Sequence, residues 1–176
     1  RELLMMTAGA ALMSKNGGNA LAAESGTPAA ATHDMSGMPA SWMGMEKIAF
    51  LAYPKFTALD LVGPHYMLGS LMGATTMIVA KTADPVVSDM GLGIVPHKTF
   101  ADCPADLDII CVPGGSDGTI AAMNDAETIA FLKDRGQRAK FVTSVCTGSL
   151  VLAAAGLLTG YKATSHWVAR DVLKDF

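Results

Sequence analysis

A chain of 176 residues, 51% of them hydrophobic, is long enough to close one core and too apolar to be disordered throughout. Thirteen basic against sixteen acidic residues give a net charge of −3, so no phosphate-neutralising surface is expected and nucleic acid is not an expected partner. Three widely spaced cysteines, Cys103, Cys111 and Cys146, form neither a CxxC pair nor a disulfide framework, and with distant histidines they make no zinc site.

Residues 1–45 differ from the rest, holding seven of the twelve methionines and only five charged residues. Residues 3–13 are an apolar run broken only by Thr7, preceded by Arg1 and followed by a polar stretch ending in Ala20-Leu21-Ala22. This is the build of an export signal over residues 1–22, cleaved after Ala22. The run is shorter than the roughly 20 residues that a ~30 Å hydrocarbon core requires, so no stable membrane span is expected. A buried helix is the plainer alternative. Arg1-Glu2-Leu3-Leu4 resembles the second half of a twin-arginine signal, which points to a periplasmic protein. Residues 23–45 are rich in Ala, Ser, Gly, Thr and Pro and read as a flexible linker. Its His33, Met35, Met38, Met43 and Met45 are soft ligands of the kind that hold Cu(I). A Met-rich lead-in whose Trp42 packs on the domain is the commoner explanation.

From Lys47 onward strands and helices alternate. Residues 48–52 are a continuous apolar run, as in a strand buried on both faces. Residues 60–71 carry apolar side chains at helical spacing, and residues 75–80 are rich in β-branched residues. Residues 84–99 are irregular, with a small hairpin expected around Met90-Gly91-Leu92-Gly93. Residues 108–112 form a second buried strand, ended by Pro113-Gly114-Gly115. Asn124-Asp125-Ala126-Glu127 reads as a capping box opening a helix to about Gln137, with Ile129 and Leu132 facing inwards. Residues 140–145 are a strand, 147–155 a helix and 167–176 the last helix. Strands separated by helices imply an α/β fold: a parallel sheet with helices on both faces.

Ser144-Val145-Cys146-Thr147-Gly148 sits where a strand hands over directly to a helix, with small residues two before and two after the cysteine. That is the spacing of a nucleophile elbow, a strained turn that lifts the nucleophile out of the sheet. At a helix N-terminus the thiolate is favoured, so a depressed thiol pKa is expected. The alternative is an inert core cysteine. Asp60, read alone, is an ordinary acidic residue near a helix N-terminus. Cys111 falls mid-strand and Cys103 in a Pro-ended turn, so both default to packing, as His65 and His97 do to structural or surface roles.

Residues 141–150, FVTSVCTGSL, followed by Ala154-Ala155-Gly156-Leu157-Leu158, Gly160 and Ala163-Thr164-Ser165-His166-Trp167, resemble the ThiJ/PfpI superfamily (class I glutamine amidotransferase-like). Within it the resemblance is to the isonitrile hydratases, shared by Leu59-Asp60-Leu61-Val62-Gly63-Pro64-His65, Phe100-Ala101-Asp102-Cys103-Pro104 and Val112-Pro113-Gly114-Gly115. It covers residues 47–176 and implies a flavodoxin-like sheet that family members continue with further elements beyond Phe176. It implies Cys146 as nucleophile, Asp60 as the acidic residue beside it, and Thr147 where the protease-like branch has histidine. The resemblance also makes the Gly115 and Thr147 amides donors toward the reacting atom, with Gly114 beside them. His166 is either a pocket acid/base and lining group or a structural histidine. A carboxyl beside a thiolate does not easily ionise as well, so Asp60 is expected to hold a proton it can donate.

The activity implied is cofactor-free hydration of an isonitrile, a small-molecule substrate, to an N-substituted formamide by a homodimeric enzyme. Two alternatives stay open: glyoxalase-like or protein-repair thiol chemistry on reactive carbonyls, and a non-enzymatic sensing module of an AraC-type regulator. For the export signal, protein recovered from a periplasmic fraction is expected to begin near Ala23 on N-terminal sequencing; a chain still carrying Leu3 would contradict it.

Overall fold

The computed structural model describes Gly37, Pro39 and residues 43–176. The expected export signal at 1–22, nearly all of the linker at 23–45, and His33, Met35, Met38 and Trp42 lie outside the described residues. In chain order the elements are β1 (Lys47–Leu51), α1 (Ala58–Gly69), β2 (Thr75–Ala80), β3 (Val86–Val87), β4 (Gly93–Ile94), β5 (Lys98–Thr99) and β6 (Ile109–Val112). Then follow α2 (Ser116–Asn124), α3 (Ala126–Gly136), β7 (Phe141–Ser144), α4 (Gly148–Ala154) and a 3-10 helix (Arg170–Asp175).

Five strands form one parallel sheet in the order β5-β2-β1-β6-β7, and β3 pairs with β4 in a separate antiparallel hairpin. The register sets Phe50 between Ile78 and Cys111. Ile48, Phe50, Val79, Ile110 and Val112 are fully buried, as a central parallel strand covered on both faces demands. At the edge, β7 alternates instead, and Phe141 stays 63% exposed. The chain leaves β1 toward β2 on one side and β6 toward β7 on the other. Because parallel crossovers are right-handed, α1 and the α2–α3 pair then fall on opposite faces. Accordingly α1 packs on β1, β2 and β6, while α2, α3 and α4 pack together and α4 lies on β6 and β7. Strand order reverses between β1 and β6, and in open α/β sheets the crevice beyond the strand ends at such a point is where ligands bind.

Several local expectations change. α2 was not expected; only Gly118, Thr119 and Ala122 of it are buried, a pattern too small and polar to read as a helical face. The capping box at 124–127 does not form. Asn124 closes α2 by donating to the Ile120 carbonyl at 2.8 Å, and Asp125 is the N-cap of α3, its carboxylate accepting from the Thr128 hydroxyl at 2.7 Å. The helix expected over 167–176 is a turn and a 3-10 helix with no buried residue, so no packing face imposes α geometry on it. The hairpin around residues 90–93 forms, with Gly91 at φ 85° in its turn. Among the described residues no helix is long and apolar enough to cross a membrane.

The elbow rests on a close approach of α4 to β6: a methyl group at Gly148 would overlap the Val112 and Pro113 carbonyl oxygens. Gly148→Ala is therefore expected to cost about 1–3 kcal/mol, as overpacking of a well-packed site does. Urea unfolding followed by far-UV circular dichroism would read the loss, and an unchanged midpoint would contradict the close contact.

Candidate active site

Three loops beyond the sheet's C-terminal edge build the site. The first follows β1: Phe56 is fully buried, and Thr57 caps α1, which puts Asp60 in the first turn of that helix. The second follows β6, where Pro113, Gly114 and Gly115 are all buried. The third, residues 145–147, joins β7 to α4. Val145 N–H still bonds to Val112 O at 3.0 Å, and Cys146 turns into the left-handed region at φ 55° before α4 starts. A non-glycine residue there costs on the order of 1–3 kcal/mol, and such strain persists only when its surroundings over-determine it. Three donors do so here. The Ser149 and Ser165 hydroxyls and the His166 N–H all bond to the Cys146 carbonyl, at 3.4, 3.2 and 3.2 Å.

Gly114 ties the loops together. Its carbonyl accepts Thr57 N–H at 2.7 Å, and its own N–H donates to Asp60 Oδ2 at 3.2 Å. One loop residue thereby holds the start of α1 through both of its backbone polar groups. A Cβ at Gly114 would lie 2.7 Å from Cys146 Cβ, 2.8 Å from Thr147 N and 2.9 Å from Asp60 Oδ2. The nucleophile, an amide donor and a carboxylate thus converge on one point that only glycine leaves free. The structure brings Asp60, Cys146, Thr147, Gly114 and Gly115 together. The Gly115 N–H is occupied, donating to Thr147 Oγ1 at 3.1 Å. His166 enters through its backbone; its Nδ1 accepts Val168 N–H at 3.3 Å, and its ring lies 5.6 Å from that of Trp167.

The electrostatics of the thiol differ from the sequence expectation. Burial pushes the Cys146 thiol above its ordinary value, and the Asp60 carboxylate beside it pushes the same way, against the pull of the Thr147 amide and hydroxyl. A depressed thiol was expected from a helix N-terminus alone. That expectation is corrected because desolvation and a neighbouring negative charge both disfavour thiolate. Burial raises Cys103 and Cys111 as well. His65 is lowered by burial and by His97. It packs on Phe50, and His97 Nδ1 accepts Ile78 N–H at 2.9 Å, so both serve the sheet.

Two residues that carry no motif lie beneath the elbow. The Tyr53 hydroxyl donates to Pro113 O at 2.7 Å and meets Thr119 Oγ1 at 3.3 Å, and Thr119 Oγ1 lies 2.8 Å from Thr147 Oγ1. Their only sequence signal is a polar residue at an otherwise buried position. A groove of about 960 Å³ lined by Tyr53, Lys55, Val86, Asp89, Phe100 and Ala122 adjoins the site without including Cys146 or Asp60. Among the described residues no group of three or more His, Cys, Asp or Glu could hold a metal ion.

A model of the DJ-1/PfpI family matches residues 46–175. Isonitrile hydratase of Pseudomonas putida is 49% identical over 127 residues, 72% of this chain and 55% of that protein. The HTH-type transcriptional regulator GbdR of Pseudomonas aeruginosa is 31% identical over 137 residues, 74% of this chain and 36% of that protein. The crystal structure of a ThiJ/PfpI family protein from Pseudomonas syringae superposes with a TM-score of 0.75 at 61% identity, covering 84% of this chain and 60% of that one. The chain thus spans a little over half the length of the hydratase.

Exposure separates the three thiols. Cys146 is half-buried, whereas Cys103 and Cys111 are each only 3% exposed. Iodoacetamide followed by peptide mapping is expected to label Cys146 first; equal labelling of all three would remove Cys146 as the accessible nucleophile.

Proposed function

The chain belongs to the DJ-1/PfpI family, and from that premise we propose that it is a carbon–oxygen hydro-lyase that hydrates an isonitrile to an N-substituted formamide. The observation that carries the proposal is the meeting of Asp60 Oδ2, Thr147 N and Cys146 around Gly114. The 49% identity to isonitrile hydratase of Pseudomonas putida supports the substrate class.

An isonitrile carbon is terminal and small, and it accepts a sulfur nucleophile once it takes up a proton. The Cys146 thiol, raised by burial and by the neighbouring Asp60 charge, carries the proton that the reaction uses. Asp60 takes that proton from Cys146 and passes it to the carbon as Cys146 Sγ bonds to it, giving an S-bound thioimidate. The Asp60 carboxylate then takes a proton from a water that adds to the same carbon, and Thr147 positions that water. Asp60 gives that proton to the nitrogen, and as the C–S bond breaks the adduct's hydroxyl proton passes through Asp60 to the departing sulfur, so the formamide leaves and the Cys146 thiol is restored. One water is consumed and no electrons are exchanged, so this route needs no cofactor. The Gly114 and Gly115 amides act through the side chains they hold, Asp60 and Thr147.

The proposal includes export to the periplasm, supported by the apolar run at residues 3–13. It also includes a homodimer, supported by the apolar face that α1 leaves exposed at Leu59, Val62 and Tyr66.

Asp60→Asn keeps the size and one hydrogen bond but removes both proton transfers, so kcat is expected to fall by about 10²–10⁴ with little change in binding. Cys146→Ala is expected to be inactive. The full-length protein would be assayed with an alkyl isonitrile by loss of the isocyanide infrared band. Asp60→Asn turning over at the unmutated rate would reduce Asp60 to a residue of the helix start. Consumption of methylglyoxal but of no isonitrile would favour the carbonyl-directed reading, and consumption of neither a sensing module.

A further inference from the structure

Thr119 is 2% exposed and sits in α2, in a chain of hydroxyls running from Tyr53 to the elbow. Each hydroxyl has one hydrogen to give, and a buried donor left unpaired is costly. Tyr53 gives its hydrogen to Pro113 O at 2.7 Å; burial pushes its hydroxyl well above the ordinary range, so that hydrogen stays in place. Thr119 faces two oxygens, Tyr53 Oη at 3.3 Å and Thr147 Oγ1 at 2.8 Å. Only the second is a normal O–H···O length. Thr147 Oγ1 already accepts Gly115 N–H at 3.1 Å, so a hydrogen from Thr119 fills its second acceptor position. The remaining hydrogen of Thr147 then needs an acceptor. Gly115 O has a lone pair left beside the one that takes Thr119 N–H, but at 3.5 Å it lies well beyond a normal O–H···O length. The site side, toward Cys146, is left.

We infer that Thr119 is a positioning residue: by donating to Thr147 Oγ1 from below, it turns the Thr147 hydroxyl outward as a donor to the Cys146 sulfur. This deepens the proposed function by assigning how one of its residues is oriented, and it rests only on Cys146 being the working thiol. The direction of the chain is the substance of the inference. Were it reversed, Thr147 would donate inward to Thr119 and offer the site a lone pair.

The test uses alkylation of Cys146 by iodoacetamide across pH, which needs no isonitrile chemistry. Thr119→Val removes the hydroxyl at nearly constant volume. It is expected to slow alkylation at pH 8 about three- to tenfold and to move the midpoint of the pH profile up by about half to one unit, the range of one lost hydrogen bond. Thr119→Ser is expected to restore both values, although it gives up a methyl group and lowers the melting temperature. If Thr119→Val does not fold, Thr119→Ala read against Thr119→Ser isolates the hydroxyl in the same way. An unchanged profile, a faster reaction in Thr119→Val, or no restoration by serine would overturn the inference. Loss of alkylation control with normal isonitrile turnover elsewhere in the series, or the reverse, separates it from the proposed reaction.

Discussion

There is no room for a side chain at Gly114, and the site exists because of that. A Cβ there would press within 3 Å of Cys146 Cβ, Thr147 N and Asp60 Oδ2 at once. Lacking one, the peptide runs between α1 and the elbow with both polar groups engaged, its N–H on Asp60 and its carbonyl on Thr57 N–H. The loop after β6 therefore sets the position of the first turn of α1, and with it the distance between a carboxylate and a thiol whose residues lie far apart in sequence. The reversal of strand order between β1 and β6 supplies the crevice in which this is possible.

Bringing a carboxylate to a thiol has an electrostatic consequence. Two groups that both ionise to anions compete for one negative charge when they share a partly desolvated site. Burial and the Asp60 charge raise the Cys146 thiol, and the Thr147 amide and hydroxyl only moderate that. The elbow is thus less a device for storing thiolate than one for holding a proton beside a nucleophile. The proposed hydration, in which carbon takes up a proton as sulfur bonds to it, uses that arrangement. The left-handed backbone at Cys146 is maintained by the donors on its carbonyl, two of which come from Ser165 and His166, well beyond α4.

Much of the fold is legible along the chain because its signals are local. Apolar runs at 48–52 and 108–112 mark strands buried on both faces, and the small residues around Cys146 mark the elbow. α2 is not legible because its buried side is made of Gly118, Thr119 and Ala122. The stretch over residues 167–176 misleads because its apolar residues, such as Val168 in the turn and Val172 in the 3-10 helix, stay exposed. The same division holds at the site. Asp60, Cys146 and Thr147 stand in motifs, whereas Tyr53 and Thr119 act through hydrogen bonds to Pro113 and Thr147, 60 and 28 residues away, and leave no pattern. The direction of the thiol shift escapes the sequence for a related reason, since burial and the approach of Asp60 are tertiary facts.

The central claim is that burial and the Asp60 carboxylate together hold the Cys146 thiol above its ordinary value. The direct measurement is the thiolate absorbance near 240 nm titrated with pH, with the Cys146→Ala protein as the blank, in the unmutated protein and in Asp60→Asn. The account predicts a midpoint above that of an ordinary thiol in the unmutated protein and a lower one in Asp60→Asn, because the substitution removes the charge that holds the thiol up. A midpoint below the ordinary range that does not move in Asp60→Asn would contradict it.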